Sequence, residues 1–164
     1  MADKVKFRCG DGEVLDVATN LAHEKFGAHF CGLITNAVEK GEEVNVPRIN
    51  KRCLEKVVEW CTYFLDHEPP VIEPPLCHSD LRMVVDEWSA TFIEVEQDML
   101  FELIEAGVYL DIVALEKLAG AKIASQIRLK SCKEIRQYFS IVNDFTPEEE
   151  EKIKNEERWT EATF

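Results

Sequence analysis

Residues 99–127 read MLFELIEAGVYLDIVALEKLAGAKIASQI, and this stretch decides the fold class of the chain. The opening run Met99–Ile104 is apolar on most sides of a helix, which is typical of a helix that lies in a core. The sequence Tyr109-Leu110-Asp111 breaks it, and we expect Asp111 to cap a second helix. That helix carries apolar residues at helical spacing: Ile112, Leu115, Ala119, Ile123 and Ile127. The stretch therefore predicts two antiparallel core helices joined by a tight corner.

The chain upstream begins with a pattern that is typical of a β-hairpin. Apolar and polar residues alternate from Val5 to Cys9 and again from Val14 to Val17, with Gly10-Asp11-Gly12 between them. Glycine supplies the positive φ that tight hairpin turns require. A further short strand is expected at Glu43–Pro47, because proline cannot donate a ladder hydrogen bond and so ends it. These segments predict a small sheet.

Helices are predicted between and after these strands. Spacings near three and four predict one or two helices in residues 18–40, carrying Leu21, Phe26, Phe30, Leu33, Ile34 and Val38. A clearer helix follows Asn50, which is a good N-cap residue. Its apolar stripe comprises Leu54, Val57, Val58, Cys61, Phe64 and Leu65. The proline-rich segment that follows, through Ser79, is interpreted as a surface loop, with a polyproline-type docking peptide as the alternative.

Two capping boxes predict two further helices near the C-terminal end. In Ser131-Cys132-Lys133-Glu134 the serine hydroxyl can accept from the third helical amide, while the glutamate accepts from the serine amide. Thr146-Pro147-Glu148-Glu149 repeats this arrangement, with proline at the first helical position, where no N–H is needed. The starts of both helices are therefore strongly specified by local sequence.

The last predicted helix, residues 147–159, has very little apolar surface. It offers Ile153 and Trp159, with Phe145 just before it. Most helical stability in proteins comes from burying an apolar stripe, so two or three anchors support this tail poorly. We therefore predict that the tail completes its folding on a helical partner protein. The alternative is a solvated C-terminal helix without a role.

Composition limits the classes of partner. Hydrophobic residues make up 46% of the 164 residues, which is enough for the core of one domain. The chain has 19 Lys and Arg against 32 Asp and Glu, so its net charge is −13. Nucleic acid is excluded as a partner because its binding depends on Lys and Arg. A membrane is excluded by the same repulsion and by the lack of an apolar run near the ~20 residues that span a bilayer.

Cysteine usage indicates a reducing compartment. The six cysteines are Cys9, Cys31, Cys53, Cys61, Cys77 and Cys132. No two of them form a Cys-x-x-Cys pair, and the N-terminus does not resemble a secretory signal. Cys53 and Cys61 fall inside a helical pattern, where cysteine is usually a small buried hydrophobe. We expect reduced thiols in a protein of the cytoplasm and nucleus.

Motifs for catalysis or cofactor binding are missing from the sequence. It contains no Gly-rich phosphate loop, no His-Glu-x-x-His and no Gly-x-Ser-x-Gly. Asp66-His67 and Cys77-His78 could be imagined as metal ligands, but their spacing fits no standard zinc pattern. The many carboxylates are distributed along helix faces, which indicates solvation. We expect no catalytic residue, metal site or cofactor, and therefore a non-enzymatic adaptor.

Several motifs, in order along most of the chain, resemble the S-phase kinase-associated protein 1 family, the linker subunits of SCF ubiquitin ligases. They are Asp11-Gly12-Glu13, residues 54–61 (LEKVVEWC), residues 100–104 (LFELI), Tyr109-Leu110-Asp111-Ile112, Glu134-Ile135-Arg136, Ile141, Asn143-Asp144-Phe145-Thr146 and Glu148-Glu149-Glu150. The resemblance is dense from about Glu94 to Trp159. It implies an α/β fold: a POZ (BTB)-type domain with a small sheet and mostly α-helices, plus two C-terminal helices. The implied division is 1–66 and 81–129 for the POZ domain, 67–80 for the proline-rich loop, and 130–164 for the partner-binding helices.

The resemblance also implies two partner surfaces. The C-terminal helices of the family clasp the F-box of a substrate receptor. Carried over, that site comprises Ile127, Ile135, Phe139, Ile141, Asn143, Asp144, Phe145 and Trp159. The opposite surface binds the N-terminal part of a cullin, with Tyr109 and its neighbour Val108 taking part. The implied function is an SCF adaptor that links an F-box protein to a cullin and performs no chemistry itself.

This chain departs from the family pattern at the implied cullin surface. Val108 stands where the family usually has Asn, and Val113 stands where it usually has Lys. Ser131-Cys132 replaces the usual Thr-Pro, although the capping logic is kept. Two alternatives follow for the function: a cullin-independent adaptor of F-box-like proteins, or a self-associating POZ scaffold that forms a homodimer.

Overall fold

The computed structural model describes residues 4–76 and 78–161, excluding the side chains of residues 154 and 156–161. The chain divides into two compact units, the N-terminal unit of residues 1–128 and the C-terminal unit of residues 129–164. The N-terminal unit contains β1 (Lys4–Cys9), β2 (Val14–Ala18), α1 (Thr19–Lys25), α2 (Ala28–Lys40), β3 (Val44–Val46), α3 (Lys51–Tyr63), a 3₁₀ turn (Leu81–Met83), α4 (Glu87–Phe92), α5 (Gln97–Tyr109) and α6 (Val113–Ile127). The C-terminal unit contains α7 (Cys132–Tyr138) and α8 (Pro147–Glu161).

The sheet has the strand order β2-β1-β3. β1 and β2 pair antiparallel, which confirms the predicted hairpin, and β3 pairs parallel with β1. Val5, Phe7 and Cys9 are buried while the residues between them are exposed, as the alternation predicts. Asp11 ties the hairpin turn to α3, because its carboxylate accepts from the Lys51 amide at 2.9 Å and the Glu13 amide at 3.0 Å. These two bonds, that of Lys51 first, lower the pKa of Asp11.

Residues 18–40 form two helices, α1 and α2, which meet at Gly27. The Gly27 amide donates to the carbonyl of Leu110 at 2.8 Å. A Cβ at this position would lie 2.4 Å from the Cβ of Asp111, so a larger residue does not fit. The predicted apolar stripe is only partly inward, because Leu33 and Val38 are exposed. The prediction of helix is confirmed, but these two residues do not belong to the core.

α3 begins at Lys51 with Asn50 as its N-cap residue, as the sequence predicts. Asn50 occupies the N-cap position, yet its side chain forms no capping hydrogen bond with the described residues. The Asp11 carboxylate accepts the Lys51 amide instead. Cys53 and Cys61 are buried in α3, which confirms their interpretation as small hydrophobes.

At the corner between α5 and α6 the predicted helix cap is wrong. Asp111 was expected to cap α6, but the N-cap of α6 is Ile112, and Asp111 has a φ of 57°. The Ile112 amide donates to Gly107 at 2.7 Å and the Asp111 amide to Val108 at 3.3 Å. This is the Schellman pattern, in which the left-handed residue closes the preceding helix. Asp111 therefore ends α5 rather than beginning α6.

The core of the N-terminal unit lies where the helices cover one face of the sheet. Its largest fully buried side chains are Phe7, Val17, Ile34, Ile49, Leu54, Phe64, Ile93, Leu100, Leu103, Leu110, Leu115 and Leu118. Burial of each contributes about 1.5–3 kcal/mol relative to exposure. The fold is α/β, with a small sheet, mostly helices, and two further helices at the C-terminal end, as predicted. No helix in the described part of the chain is long and apolar enough to cross a membrane.

Both predicted capping boxes form in the C-terminal unit. The Ser131 amide donates to Glu134 Oε2 at 2.8 Å, and the Glu134 amide donates to Ser131 Oγ at 3.4 Å. At α8, the Thr146 amide donates to Glu149 Oε2 at 2.9 Å, and the Glu149 amide donates to Thr146 Oγ1 at 3.3 Å. The Ser131 hydroxyl lowers the pKa of Glu134 most, and the Thr146 amide lowers that of Glu149 most. Both helix starts are fixed locally.

Candidate functional site

The C-terminal unit has a groove of about 840 Å³ between α7 and α8. Its lining is amphipathic and comprises Cys132, Lys133, Arg136, Gln137, Ser140, Ile141, Asn143, Glu150 and Ile153. Ile141 is 55% exposed and Ile153 is 37% exposed. We call this the tail groove. Its dimensions and mixed lining suit another protein segment better than a small apolar ligand, which is usually enclosed.

A polar network sets the relation of α7 to α8. Arg136 Nη1 lies 3.4 Å from Glu150 Oε1, and Asn143 Nδ2 donates to the same oxygen at 2.8 Å. The Arg136 guanidinium also lies 5.5 Å from the centre of the Phe145 ring, within cation–π range. Three separate segments of the unit are thus joined through Arg136 and Glu150. The network gives the tail groove a defined shape, although none of the described side chains of this unit is buried.

The end of α7 places Ile141 at the groove. Ser140 has a φ of 53°, the Ile141 amide donates to Arg136 at 2.8 Å, and the Ser140 amide donates to Gln137 at 3.2 Å. This Schellman arrangement turns the chain sharply after α7. A non-glycine residue in the left-handed region costs about 1–2 kcal/mol. The turn is therefore strained at Ser140.

The structure brings together three of the seven F-box-binding residues predicted for the C-terminal unit. Ile141 and Asn143 line the tail groove, and Phe145 joins its network. Ile135 and Phe139 are half-buried, while Asn143, Asp144 and Phe145 are exposed. The side chain of Trp159 lies outside the described residues. No described side chain of this unit is buried, and Ile141, Phe145 and Ile153 keep exposed apolar surface.

A second groove, of about 600 Å³, lies on the N-terminal unit and is mostly apolar. One wall is residues 72–76 of the proline-rich loop, and the other is a face of α6 formed by Lys117, Gly120, Ala121, Ala124, Ile127 and Arg128. Arg128 Nη1 donates to the Leu76 carbonyl at 3.2 Å and so holds the loop against the helix. We call this the α6 groove. It contains Ile127, the one predicted F-box residue of the N-terminal unit.

Sequence reasoning found Ile127 but missed the rest of the α6 groove. Lys117, Gly120, Ala121, Ala124, Ile127 and Arg128 recur at spacings of three and four, so they share one helix face. That face adjoins the buried one, which carries Leu115, Leu118 and Ala119, and Ala121 is buried at the boundary between them. A stripe of small residues beside a basic rim was thus readable in the sequence. The wall of residues 72–76 was not, because it depends on a contact between distant segments.

The third surface is the corner patch, which we define as Val108, Tyr109 and Val113. Val108 is 60% exposed and Val113 is 51% exposed, at the end of α5 and the start of α6. The Tyr109 ring packs edge-on against Phe30, with centroids 5.3 Å apart, and Arg48 lies 5.8 Å from its centre. Tyr109 is therefore fixed in orientation while the two valines are open to solvent. Val108 and Tyr109 are the residues predicted for cullin binding, and Val113 is the second departure from the family pattern at the implied cullin surface.

Comparison with known proteins identifies the family. Residues 115–160 match the family model described as "Skp1 family, dimerisation domain". The S-phase kinase-associated protein 1 homolog of Tetrahymena thermophila is 40% identical over 162 residues, covering 96% of this chain and 94% of that protein. This chain belongs to the S-phase kinase-associated protein 1 family.

Fungal members of the same family are also similar to this chain over nearly its full length. The protein named E3 ubiquitin ligase complex SCF subunit sconC from Aspergillus flavus is 42% identical over 155 residues, covering 94% of each chain. Its counterpart from Arthroderma benhamiae is 36% identical over 163 residues, covering 97% of this chain and 96% of that protein. The segment matched by the family model contains α6 from Leu115 onward, α7 and most of α8. It therefore includes all the described lining residues of the tail groove and the helical wall of the α6 groove.

The buried cysteines are poorly suited to nucleophilic chemistry. Burial raises the pKa of Cys53 and of Cys61 to about 12, so both remain thiols at neutral pH. Among the described residues there is no group of three or more His, Cys, Asp or Glu that could hold a metal ion. Cys77, part of the metal-binding alternative raised by the sequence, lies outside the described residues.

Proposed function

We propose that this chain is the adaptor subunit of an SCF-type cullin-RING ubiquitin ligase, linking an F-box substrate receptor to a cullin. One observation carries the proposal. The helices of the C-terminal unit are capped and joined by side-chain hydrogen bonds, yet none of the described side chains of this unit is buried. Relatives that are named as subunits of the SCF complex, and that match this chain over nearly their whole length, support the same proposal. An adaptor of this kind orients two proteins and needs no catalytic residue.

The F-box side of the proposal uses both grooves. An amphipathic helix that lays its apolar face into a groove is a standard mode of peptide recognition. Ile141, Phe145 and Ile153 offer exposed apolar anchors in the C-terminal unit, and the half-buried Ile127 offers one in the N-terminal unit. Covering such side chains would supply the burial that the C-terminal unit lacks. The F-box would thereby complete the folding of its own binding site.

The cullin side of the proposal uses the corner patch. Tyr109 presents a fixed aromatic ring, and Val108 and Val113 flank it with exposed apolar surface. Their apolar character favours a cullin that offers an apolar complement here. It equally motivates the second candidate, an adaptor of F-box proteins that acts without a cullin. Self-association through the same valines, as a homodimer of the free chain, is the third.

Co-purification with an F-box protein and the N-terminal domain of a cullin tests the proposal. We expect a ternary complex. A binary complex with the F-box protein alone would favour the cullin-independent adaptor, and Val108→Asn with Val113→Lys would then be expected to restore cullin binding. Failure to bind any F-box protein would refute the proposal. The molecular mass of the free chain in solution, measured at several concentrations, tests the homodimer. A mass that stays that of a monomer at high concentration would refute it.

The proposed function places the protein in the cytoplasm and nucleus, where its reduced cysteines would be stable. This localisation remains a prediction from the sequence. Imaging of the tagged full chain in cells would check it, and a signal confined to a secretory compartment would contradict it.

A further inference from the structure

The proline-rich loop contains one four-residue motif twice. Residues 68–71 (EPPV) and residues 73–76 (EPPL) both consist of a glutamate, two prolines and an aliphatic residue. The second copy forms a wall of the α6 groove, whereas the first copy lines neither that groove nor the tail groove. Glu68 and Pro69 are exposed, and Val71 is 83% exposed. The first copy is therefore presented to solvent rather than packed against the domain.

The chain enters this first copy from a fixed point. The His67 ring lies parallel to the Tyr63 ring, with centroids 4.3 Å apart, and His67 Nδ1 donates to the Tyr63 carbonyl at 2.9 Å. The Trp88 ring of α4 is also parallel to the Tyr63 ring, with centroids 3.8 Å apart. Two parallel rings this close would overlap on one face of Tyr63, so His67 and Trp88 cover opposite faces. One aromatic column thus fixes both ends of the connection between α3 and α4.

The first copy also ends at a fixed point and has little conformational freedom of its own. Ile72, the next residue, is buried. The rings of Pro69 and Pro70 fix φ at about −65°, and a residue that precedes a proline is restricted to extended conformations. Residues 68–73 form neither helix nor strand. The segment is therefore a short extended peptide of the polyproline II type, held at both ends.

The exposed side of this peptide can be reached by a partner. A polyproline II helix has three residues per turn, which places Glu68 and Val71 on the same edge. That edge and Pro69 are exposed, while Pro70 is half-buried against the domain. Because the conformation is already set, a partner that binds it orders little additional chain.

The chemistry of the segment indicates the class of partner. Extended proline-rich peptides are recognised by domains with aromatic-lined grooves. No two prolines of this loop have the Pro-x-x-Pro spacing that SH3 domains select, whereas two adjacent prolines followed by an aliphatic residue suit a WW domain. The exposed carboxylates of Asp66, Glu68 and Glu73 flank the prolines. They favour a groove with a basic rim.

We propose that residues 68–71 are a docking peptide for a WW-type domain whose groove has a basic rim. Pro69 lies on the aromatic rings of that groove, and Val71 contacts the apolar surface beside them. These residues belong neither to the predicted F-box set nor to the corner patch, so the inference goes beyond the proposed function. Docking here brings a further protein to the adaptor without occupying the tail groove or the α6 groove.

Titration of the full chain with a panel of purified WW domains, with rims that range from basic to acidic, tests the proposal. Domains with basic rims should bind, and added salt should weaken that binding because the flanking charges are exposed. Pro69→Ala combined with Pro70→Ala should weaken binding about tenfold or more, because it removes both the contact and the preset conformation. Val71→Asp should also weaken it, and this variant keeps both prolines should the double variant fold poorly.

The second copy of the motif supplies the matched control. Pro74→Ala combined with Pro75→Ala removes the same dipeptide from the copy that lines the α6 groove, and binding to the WW domain should equal that of the wild type. Binding of the Pro69→Ala, Pro70→Ala variant to an F-box domain should also be unchanged, which separates this inference from the proposed function.

Four results would overturn the inference. They are no binding to any WW domain of the panel at high micromolar concentration, a preference for acidic rims, equal weakening by the control pair, and binding to a purified SH3 domain in place of the WW domains. A wild-type chain that binds no F-box domain, yet binds a WW domain through residues 68–71, would refute the proposed function and support the docking peptide.

Discussion

The N-terminal unit buries apolar side chains from every one of its helices, whereas the described side chains of the C-terminal unit are all half-buried or exposed. The helices of the C-terminal unit are instead specified by two capping boxes, a Schellman turn and the Arg136–Glu150–Asn143 network. Local hydrogen bonds can thus define where a helix begins and ends without supplying the burial that stabilises it. The contrast supports the proposal that the N-terminal unit is a scaffold that folds by itself and that a partner completes the C-terminal unit.

The largest expected effect contrasts the same substitution in the two units. Leu103→Ala removes a side chain with 0% exposure from α5 and should lower the free energy of unfolding by about 2–5 kcal/mol. Leu129→Ala removes a side chain that is 86% exposed and should change it by less than about 0.5 kcal/mol. Urea denaturation of both variants checks this. Equal losses of unfolding free energy in the two variants would contradict the difference in burial between the two units.

The next effect concerns binding rather than stability. Phe145→Ala should weaken F-box binding by about 2 kcal/mol, because exposed aromatic anchors often dominate interfaces. The melting temperature should be nearly unchanged, since Phe145 is exposed in the free chain. Phe145→Leu keeps an apolar anchor and should lose less. Calorimetric titration measures both, and unchanged affinity for Phe145→Ala would remove it from the site.

A smaller effect, a gain in stability, is expected from a substitution at the end of α7. Ser140→Gly relieves a left-handed residue and should stabilise the turn by up to about 1 kcal/mol. Helical content of the tail, followed by backbone chemical shifts against temperature, should rise. Ser140→Ala is the control, because it keeps a Cβ at the same φ. A destabilising Ser140→Gly would show that the hydroxyl matters more than the backbone.

Acid should loosen the tail before the core. Hydrogen bonds in the capping boxes, from Ser131 and Thr146, lower the pKa values of Glu134 and Glu149 below their ordinary value of 4.5. A carboxylate with a lowered folded pKa stabilises the folded state above its ordinary pKa, and that stability is lost as pH falls through the folded value. Chemical shifts of α7 and α8 should therefore lose helical character below about pH 4.5. Glu134→Gln with Glu149→Gln should flatten this dependence, and an unchanged profile would contradict it.

Much of the fold was predictable because its signals are local. The alternation at Val5–Cys9 predicted the hairpin, and the two capping boxes predicted the starts of α7 and α8. Asp111 was misassigned because an Asp between two helices can close one or open the next. Only the backbone conformation, with its positive φ, shows which of the two occurs. Local patterns fixed the elements but not the roles of their boundary residues.

The candidate surfaces could be predicted where they depend on one short segment of the chain. Ile141, Asn143 and Phe145 follow one another closely in sequence and were expected at the F-box site. The exposure of Leu33 was not expected, because helical spacing does not show which face a tertiary neighbour covers. The α6 groove was found only through Ile127, since its second wall comes from residues 72–76. Contacts between distant segments remained outside the reach of sequence patterns.

Amide hydrogen exchange of the full chain, alone and with an F-box domain, tests the central claim most directly. In the free chain we expect the amides of α7 and α8 to exchange far faster than those of α3 and α5, because little burial opposes local opening. Binding of the F-box domain should slow the exchange of α7 and α8 and leave that of α3 unchanged. Protection of α7 and α8 in the free chain equal to that of α5, with no change on binding, would contradict the account.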